Sequence, residues 1–415
     1  MTTPLVWKFG GTSVADHDRL RAVAERMVLA QRDGHRVVAV LSAMGKSTDG
    51  LAELAAEMSA LPPQRELDAL LSVGESISCA LASMAVHELG SRAVSLTGAQ
   101  AGIRTDARHG NARLRAVDPH RIGEALDGGA IVLVTGFQGV CDDGDVTTLG
   151  RGGSDASAVA LAAALGAGEC DIFTDVPAVF TADPRVVPEA RRLESLRHEE
   201  MLEMAEAGAA VLQPRAVELG MAHGVDIHLR SSFSAEPGTW IRNGGGGFEG
   251  EDPAGDVAGI AHRAQDSFYR VRRISAATVT SALQRRGVSV GAMVCDGDEV
   301  RCTAPGSPDA EVLAALHDAG AEVDVLDGLG TVSVVSAGIA RKPDITARAL
   351  AALEAAGIAP RLVTTTPGRV TVHLGTALVA DAVRLLHEIF IPPRDATGPA
   401  VEPAVPVKPM EFAAA

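Results

Sequence analysis

The sequence predicts an α/β domain built on a mostly parallel sheet, followed by two small ferredoxin-like α+β units, and three observations predict it. From Leu5 to about Arg242, short β-branched runs alternate with helical stretches, the pattern of strands joined by crossover helices. Residues 243–259 are dense in Gly, Asp, Glu and Pro, the composition of a connection between domains. Beyond it the chain repeats itself at an offset of 70: Ala282-Leu283 matches Ala352-Leu353, Gly287 matches Gly357, Val300 matches Val370, and Leu316-His317 matches Leu386-His387. Such self-similarity marks two copies of one structural unit.

The strands of the first domain are expected at Leu5–Phe9, Arg36–Leu41, Ala93–Leu96, Ala130–Gly136, Asp171–Asp175 and Asp226–Arg230. Helices are expected at Asp18–Arg32, Gln64–Leu89, Asp155–Leu165, His198–Ala207 and Pro214–His223. Gln100–Arg115 and Gln138–Thr148, rich in Gly, Asp, Arg and Thr, read as hairpins at a sheet edge. Each repeat reads β-α-β-β-α, with helices at Ala276–Arg286 and Ser307–Ala319, then Ile345–Ala356 and Ala377–Ile389, and a further strand at Glu322–Leu326. The expected divisions are 1–242, a linker at 243–263, units at 264–330 and 331–392, and a proline-rich disordered tail at 393–415.

Composition narrows the functional classes. At 415 residues and 47% hydrophobic content the chain can bury a core of two or three domains. A net charge of −16 disfavours nucleic acid and anionic membrane as partners, and 3% aromatic residues leave few surfaces for base stacking. The five cysteines are scattered and contain no C-x-x-C pair, so neither a zinc site nor a disulfide framework is expected. No signal-like leader is apparent at Met1, and the most apolar helical run noted, Ala156 to Leu165, is too short to span a bilayer, so a cytoplasmic setting is expected.

Three glycine turns stand at strand ends. Lys8-Phe9-Gly10-Gly11-Thr12-Ser13 follows the first strand and precedes a helix. Its two glycines let backbone N–H groups approach an anion, and Lys8 supplies a point charge. Ser42-Ala43-Met44-Gly45 ends the second strand, with hydroxyls at Ser47 and Thr48. Thr147-Thr148-Leu149-Gly150-Arg151-Gly152-Gly153-Ser154-Asp155 opens a strong helix former. Arg151 has no apolar surface to cover there, and its guanidinium suits two-point contact with a carboxylate or phosphate. There is no G-x-x-x-x-G-K-[ST] and no G-x-G-x-x-G with an acidic partner, so the phosphate site is neither a P-loop nor a dinucleotide fold.

These turns, in this order, resemble those of the aspartokinase branch of the amino acid kinase family: K-[FY]-G-G-[ST]-S at Lys8–Ser13, S-A-M-G at Ser42–Gly45, and T-L-G-R-G-G-S-D at Thr148–Asp155. Gly74-Glu75, Thr97–Ile103, Arg108–Arg113, Gly136–Gly139 and Phe180–Arg185 extend the likeness, and the C-terminal repeats resemble the family's tandem ACT modules. The resemblance implies a three-layer αβα amino acid kinase fold. It also implies ATP-dependent phosphorylation of the aspartate side chain to 4-phospho-aspartate, with magnesium, as the first step of the lysine and threonine pathway. By the family pattern Lys8, Gly10, Gly11, Ser13 and Ser42 would face the phosphates, with Thr174, Asp175, Phe180, Asp183 and Arg185 lining the nucleotide pocket. Arg151, Gly152, Gly153 and Ser154 would hold the substrate carboxylate, Glu75 its ammonium, and Thr48 would add a hydroxyl contact. Asp155 would organise Lys8, and no side chain is expected as a metal ligand.

Four departures qualify the likeness. Ser76 stands where the family has arginine, Pro177-Ala178 alters the nucleotide loop, and Ala210 replaces a lysine expected near ATP, with Arg215 as a candidate substitute. The first repeat has Arg273-Ile274-Ser275-Ala276 in place of an effector-binding D-x-P-G loop, so blunted inhibition by lysine and threonine is expected. A kinase for another acidic amino acid and a weakly active regulatory homologue are the competing readings. Exposed edges of the repeat units need covering, so a homodimer or larger oligomer through them is expected.

Overall fold

The computed structural model describes residues 3–209, 211–243 and 257–392. The expected tail, residues 244–256 of the expected linker and Ala210 lie outside the described residues.

The first domain is three-layered. Its eight-stranded sheet runs β10 (Ser195–Leu196), β12 (Thr239–Ile241), β11 (Asp226–Ser231), β9 (Glu169–Thr174), β1 (Leu5–Phe9), β2 (Val37–Leu41), β6 (Ile131–Thr135), β3 (Ala93–Leu96). The six strands from β11 to β3 are parallel, while β12 runs antiparallel to β11. All five residues of β2 are buried, as a central parallel strand covered on both faces requires. Alternation divides them: Val38 and Val40 join Val6 beneath α6 (Gly153–Ala164) and α8 (Pro214–His223), whereas Val37, Ala39 and Leu41 join Trp7 and Phe9 beneath α1 (His17–Arg32) and α4 (Val73–Glu88).

Several expectations are corrected here. The expected hairpins do not extend an edge of the main sheet. They assemble a separate four-stranded sheet in the order β5 (Leu114–Val117), β4 (Ile103–Thr105), β7 (Gln138–Val140), β8 (Val146–Thr148). Phe137, in the left-handed region at φ 68°, turns the chain out of β6, and a Cβ on Gly136 would lie 2.6 Å from Ser154 Oγ, so the main sheet ends there. The expected helix over Gln64–Leu89 is divided into α3 (Gln64–Leu71) and α4 at Ser72, whose carbonyl accepts from Gln138 Nε2 at 2.9 Å. Helices α2 (Ser47–Met58) and α5 (His120–Asp127) were not anticipated. The stretch Gln64–Glu88 is long and apolar enough by composition to span a bilayer, contrary to the sequence expectation; here it carries the buried Asp68 and Glu75 and packs against the sheet. Helix α7 (His198–Glu206) matches its expected span within a residue.

The C-terminal region is one six-stranded antiparallel sheet in the order β14 (Met293–Asp296), β15 (Glu299–Thr303), β13 (Gly259–Arg272), β16 (Glu322–Val335), β18 (Arg369–Gly375), β17 (Leu362–Thr365). The two 14-residue strands β13 and β16 pair along their whole length, with register shifts between Arg263 and Phe268. Their Tyr269 and Val271 half is covered by α9 (Ala276–Arg285) and α10 (Asp309–Asp318). Their Ile260, Val332 and Val334 half is covered by α11 (Pro343–Ala355) and α12 (Val379–Phe390). The repeat is therefore a pair of βαββαβ-like units sharing two strands, the first unit inserted within the second. Gly259–Arg263 of the expected linker are strand, and the expected division at 330/331 falls inside β16.

Candidate active site

The glycine turns converge at the C-terminal ends of β1, β2, β6 and β9, where open parallel sheets bind ligands. Lys8, the fourth residue of β1, points its ammonium to within 2.7 Å of Asp155 Oδ1 in the first turn of α6, and both are largely buried. The contact is a charge pair rather than an aligned hydrogen bond, since Oδ1 has no donor in hydrogen-bond geometry. Arg151 sits four residues before Asp155 in the turn that leads into α6; it is exposed and has no side-chain partner among the described residues. The Lys8 ammonium thus meets the first turn of the helix whose leading turn carries Arg151, a helix N-terminus where anions are favoured.

The turn is rigidly shaped. Gly152 has φ 68°, and a Cβ there would fall 1.8 Å from Gln213 Cγ, so only glycine fits. Buried Asp68 of α3, which sequence reasoning missed, accepts from Thr148 N–H at 3.0 Å, Thr148 Oγ1 at 2.5 Å, Gly110 N–H at 3.0 Å and contacts His109 Nδ1 at 2.9 Å. It welds α3, the 108–111 loop and the Arg151 turn together. Arg215 donates to Leu149 O at 3.0 Å and Ala112 O at 2.8 Å, and burial pulls its pKa down. It braces the same turn, so the structure does not support the expectation that it replaces a phosphate-binding lysine.

At the Gly10-Gly11 turn one expectation fails. Gly10 N–H donates to Phe173 O at 3.1 Å and is not free for an anion. A 3-10 helix at Gly11–Val14 follows, and the N–H groups of Gly11 and Thr12 at its start have no intrahelical acceptor. Ser13 is buried and accepts from Ser232 Oγ at 2.6 Å. Ser231 pairs with Thr174 at the ends of β11 and β9, so Ser231 and Ser232 join the site unanticipated. Their only sequence signal is a strand end followed by Ser-Ser.

The second turn supplies the acidic corner. Glu75 is buried in the first turn of α4, where Oε1 accepts from Ala43 N–H at 3.2 Å and Oε2 has no hydrogen-bond partner among the described residues. Burial pushes its pKa up to about 7. Thr48 Oγ1 would lie 3.9 Å from a Cβ on Gly74, so Thr48 and Glu75 are neighbours. Ser42 connects to the same corner through its carbonyl, which accepts from Ser78 Oγ at 2.8 Å. Ser76 turns its hydroxyl back onto Ser72 O at 3.2 Å.

The expected nucleotide residues divide into two groups. Thr174 lies at the end of β9 and donates to Asp175 Oδ1 at 3.1 Å. Phe180 bridges to Arg192. Asp183 is paired with Arg185 at 2.7 Å, which lowers its pKa, and it lies near His262 of β13. Asp183 and Arg185 therefore border the C-terminal module, and among the described residues neither is hydrogen-bonded or ion-paired to Lys8 or Asp155. Among the described residues no three His, Cys, Asp or Glu side chains gather as a metal site.

A lysine set against a buried carboxylate, with an exposed arginine in the turn before the same helix and glycine turns at adjoining strand ends, is an arrangement suited to anions on an α/β fold without a P-loop. The sequence profile of the amino acid kinase family matches residues 3–231. An aspartokinase of Mycolicibacterium smegmatis is 44% identical over 404 residues, covering 93% of this chain and 96% of the relative. An aspartokinase of Geobacillus stearothermophilus is 42% identical over 404 residues, covering 93% and 97%. The crystal structure of E. coli aspartokinase III in complex with aspartate and ADP (R-state) superposes with a TM-score of 0.78 at 25% identity, over 93% of this chain and 99% of that one. The chain belongs to the amino acid kinase family, in its aspartokinase branch.

Proposed function

We propose that this chain is an aspartate kinase, transferring the γ-phosphoryl group of ATP to the side-chain carboxylate of L-aspartate. The observation that carries the reading is the Lys8–Asp155 pair at the start of α6, one turn from the unpaired Arg151. Arg151 clamps a substrate carboxylate in two-point contact, and Glu75, whose Oε2 is buried and bare, receives the substrate ammonium. The side-chain carboxylate is already deprotonated near neutrality, so it attacks the γ-phosphorus without a base while the bond to the β-phosphate oxygen breaks and ADP leaves.

Catalysis is then placement and charge neutralisation. Lys8 follows the charge on the transferring group, oriented by Asp155. The N–H groups of Gly11 and Thr12, with Ser13 and Ser232, bind phosphate oxygens. Magnesium fits as the companion of the nucleotide phosphates and water rather than in a protein cage. When bound with the nucleotide it would supply charge neutralisation to the phosphates.

The segment 174–185 takes the nucleotide side. The first-repeat turn is self-satisfied, with Arg273 paired to Glu322 at 2.9 Å and Ser275 capping α9, which supports weak feedback by lysine or threonine. Pairing of two copies through the β14 and β17 edges and a reducing, cytoplasmic setting for the five free thiols complete the reading.

A coupled ADP-release assay with aspartate, run with hydroxylamine to trap the acyl phosphate, tests it. Aspartate-dependent ADP release with hydroxamate formation is expected. Nucleotide turnover without hydroxamate, or none with aspartate, overturns it.

A further inference from the structure

Thr181 ties three segments of the molecule together. Its carbonyl accepts from Ile260 N–H at the head of β13 at 2.7 Å. Its hydroxyl accepts from Arg191 N–H at 2.9 Å and lies 2.9 Å from Nε2 of His387 on α12. Thr181 and His387 are 3% and 5% exposed. On either side of this bond the 180–191 segment is embedded in the second α+β unit: Ala182 and Val187 belong to the same apolar core as Ile260, Val383 and Phe390, and Arg384 donates to Val186 O at 3.2 Å. Among the described residues, by contrast, the core of the first unit contains none from the N-terminal domain.

An apolar interface tolerates sliding by fractions of an ångström, whereas a buried hydroxyl–imidazole bond is directional and costly to leave unmade. The 180–191 segment therefore takes its register from α12. We infer that His387 is a positioning residue for the nucleotide: through Thr181 it fixes the segment carrying Phe180 and Asp183, so that the second α+β unit sets the affinity for ATP. Burial and the nearby Arg191 lower the His387 pKa, with Glu189 opposing, which favours a neutral ring able to accept from the Thr181 hydroxyl.

The inference rests on the nucleotide reading of residues 174–185, and the experiment separates the two. Steady-state constants and amide hydrogen exchange are measured on the full chain and its His387→Leu, His387→Gln and Thr181→Val variants. Loss of the one bond is expected to raise KM for ATP about three- to tenfold in His387→Leu and Thr181→Val, with kcat and KM for aspartate within about twofold. The double variant should lose no more than the worse single one, and His387→Gln, which retains an acceptor, should recover most of the affinity. Exchange in 180–191 should quicken in His387→Leu while α9 and α10 stay unchanged. Unaltered exchange there, or an ATP KM equal to wild type in both apolar variants, overturns the inference, as does a His387→Gln variant as poor as His387→Leu. ATP added to the wild type should slow exchange in 174–185; absence of that protection removes the nucleotide reading itself, and the inference with it.

Discussion

Around Lys8 and Arg151 the fixing contacts among the described residues come from the N-terminal domain: Asp155 on the ammonium, Asp68 and Arg215 on the turn, Ser232 on Ser13. Around Thr181 one fixing contact is local, from Arg191, and the others come from Ile260, His387 and Arg384, more than 70 residues on in sequence. The same unit also grips α7, where Arg369 lies 2.5 Å from Glu203 and 2.8 Å from Glu206. One half of the cleft is thus preorganised by its own fold, and the other half borrows its shape from a separable layer. On the proposed reading, chemistry, acceptor binding and the grip on the phosphates belong to the first half, and the hold on the rest of the nucleotide to the second.

The largest effect should come from the heart of the first half. Lys8→Met is expected to lower kcat about a hundred- to a thousandfold with little change in KM for ATP. It also strands a buried carboxylate, so Lys8→Met combined with Asp155→Asn should recover thermal stability but not turnover. A large rise in ATP KM with kcat unchanged would instead break the assignment of chemistry to this half. Asp68→Asn removes the charge that gathers Thr148, Gly110 and His109, and should raise KM for aspartate roughly ten- to a hundredfold, measured alongside an unchanged ATP KM.

Glu75 sharpens the comparison through pH. Its carboxyl is raised to about 7, so it takes up its proton as pH falls through 7 and can no longer receive an ammonium. KM for aspartate should therefore climb by up to about tenfold per pH unit below 7, and Glu75→Gln should flatten that profile at a high KM. The sign for stability is opposite to that of a paired carboxylate. A raised pKa means that the native state binds more protons than the unfolded chain, so this group's contribution worsens as pH rises from 4.5 to 7. Denaturant unfolding at pH 8 should show Glu75→Gln more stable than wild type. The smallest effect is expected at α7, where Arg369→Ala should raise the ATP KM about threefold and leave the aspartate KM alone, because the pair is partly exposed.

Much of the scaffold was legible because period and punctuation agree. β1, β3 and α8 occupy their expected spans, and the offset of 70 correctly announced duplicated units. Strand sharing was not legible, since an uninterrupted 14-residue strand and two shorter ones look alike in a periodic pattern. The glycine turns singled out Lys8, Arg151 and Asp155 as candidates because charges beside such turns have few structural uses. Asp68 escaped notice because a lone acidic residue in an amphipathic helix reads as a solvated face, and its donors lie 41, 42 and 80 residues away. Gly10 was over-read: its amide is spent on the neighbouring strand end, which no local pattern reveals.

The long strands common to both C-terminal units have a practical corollary. A cut between Gly330 and Thr331 splits β16 and strips each fragment of a full-length ladder partner, exposing rows of backbone donors and acceptors. Each repeat alone should then be prone to aggregate, and in the intact chain the two should melt in a single calorimetric transition. Separately expressed halves should reassociate by completing each other's sheet.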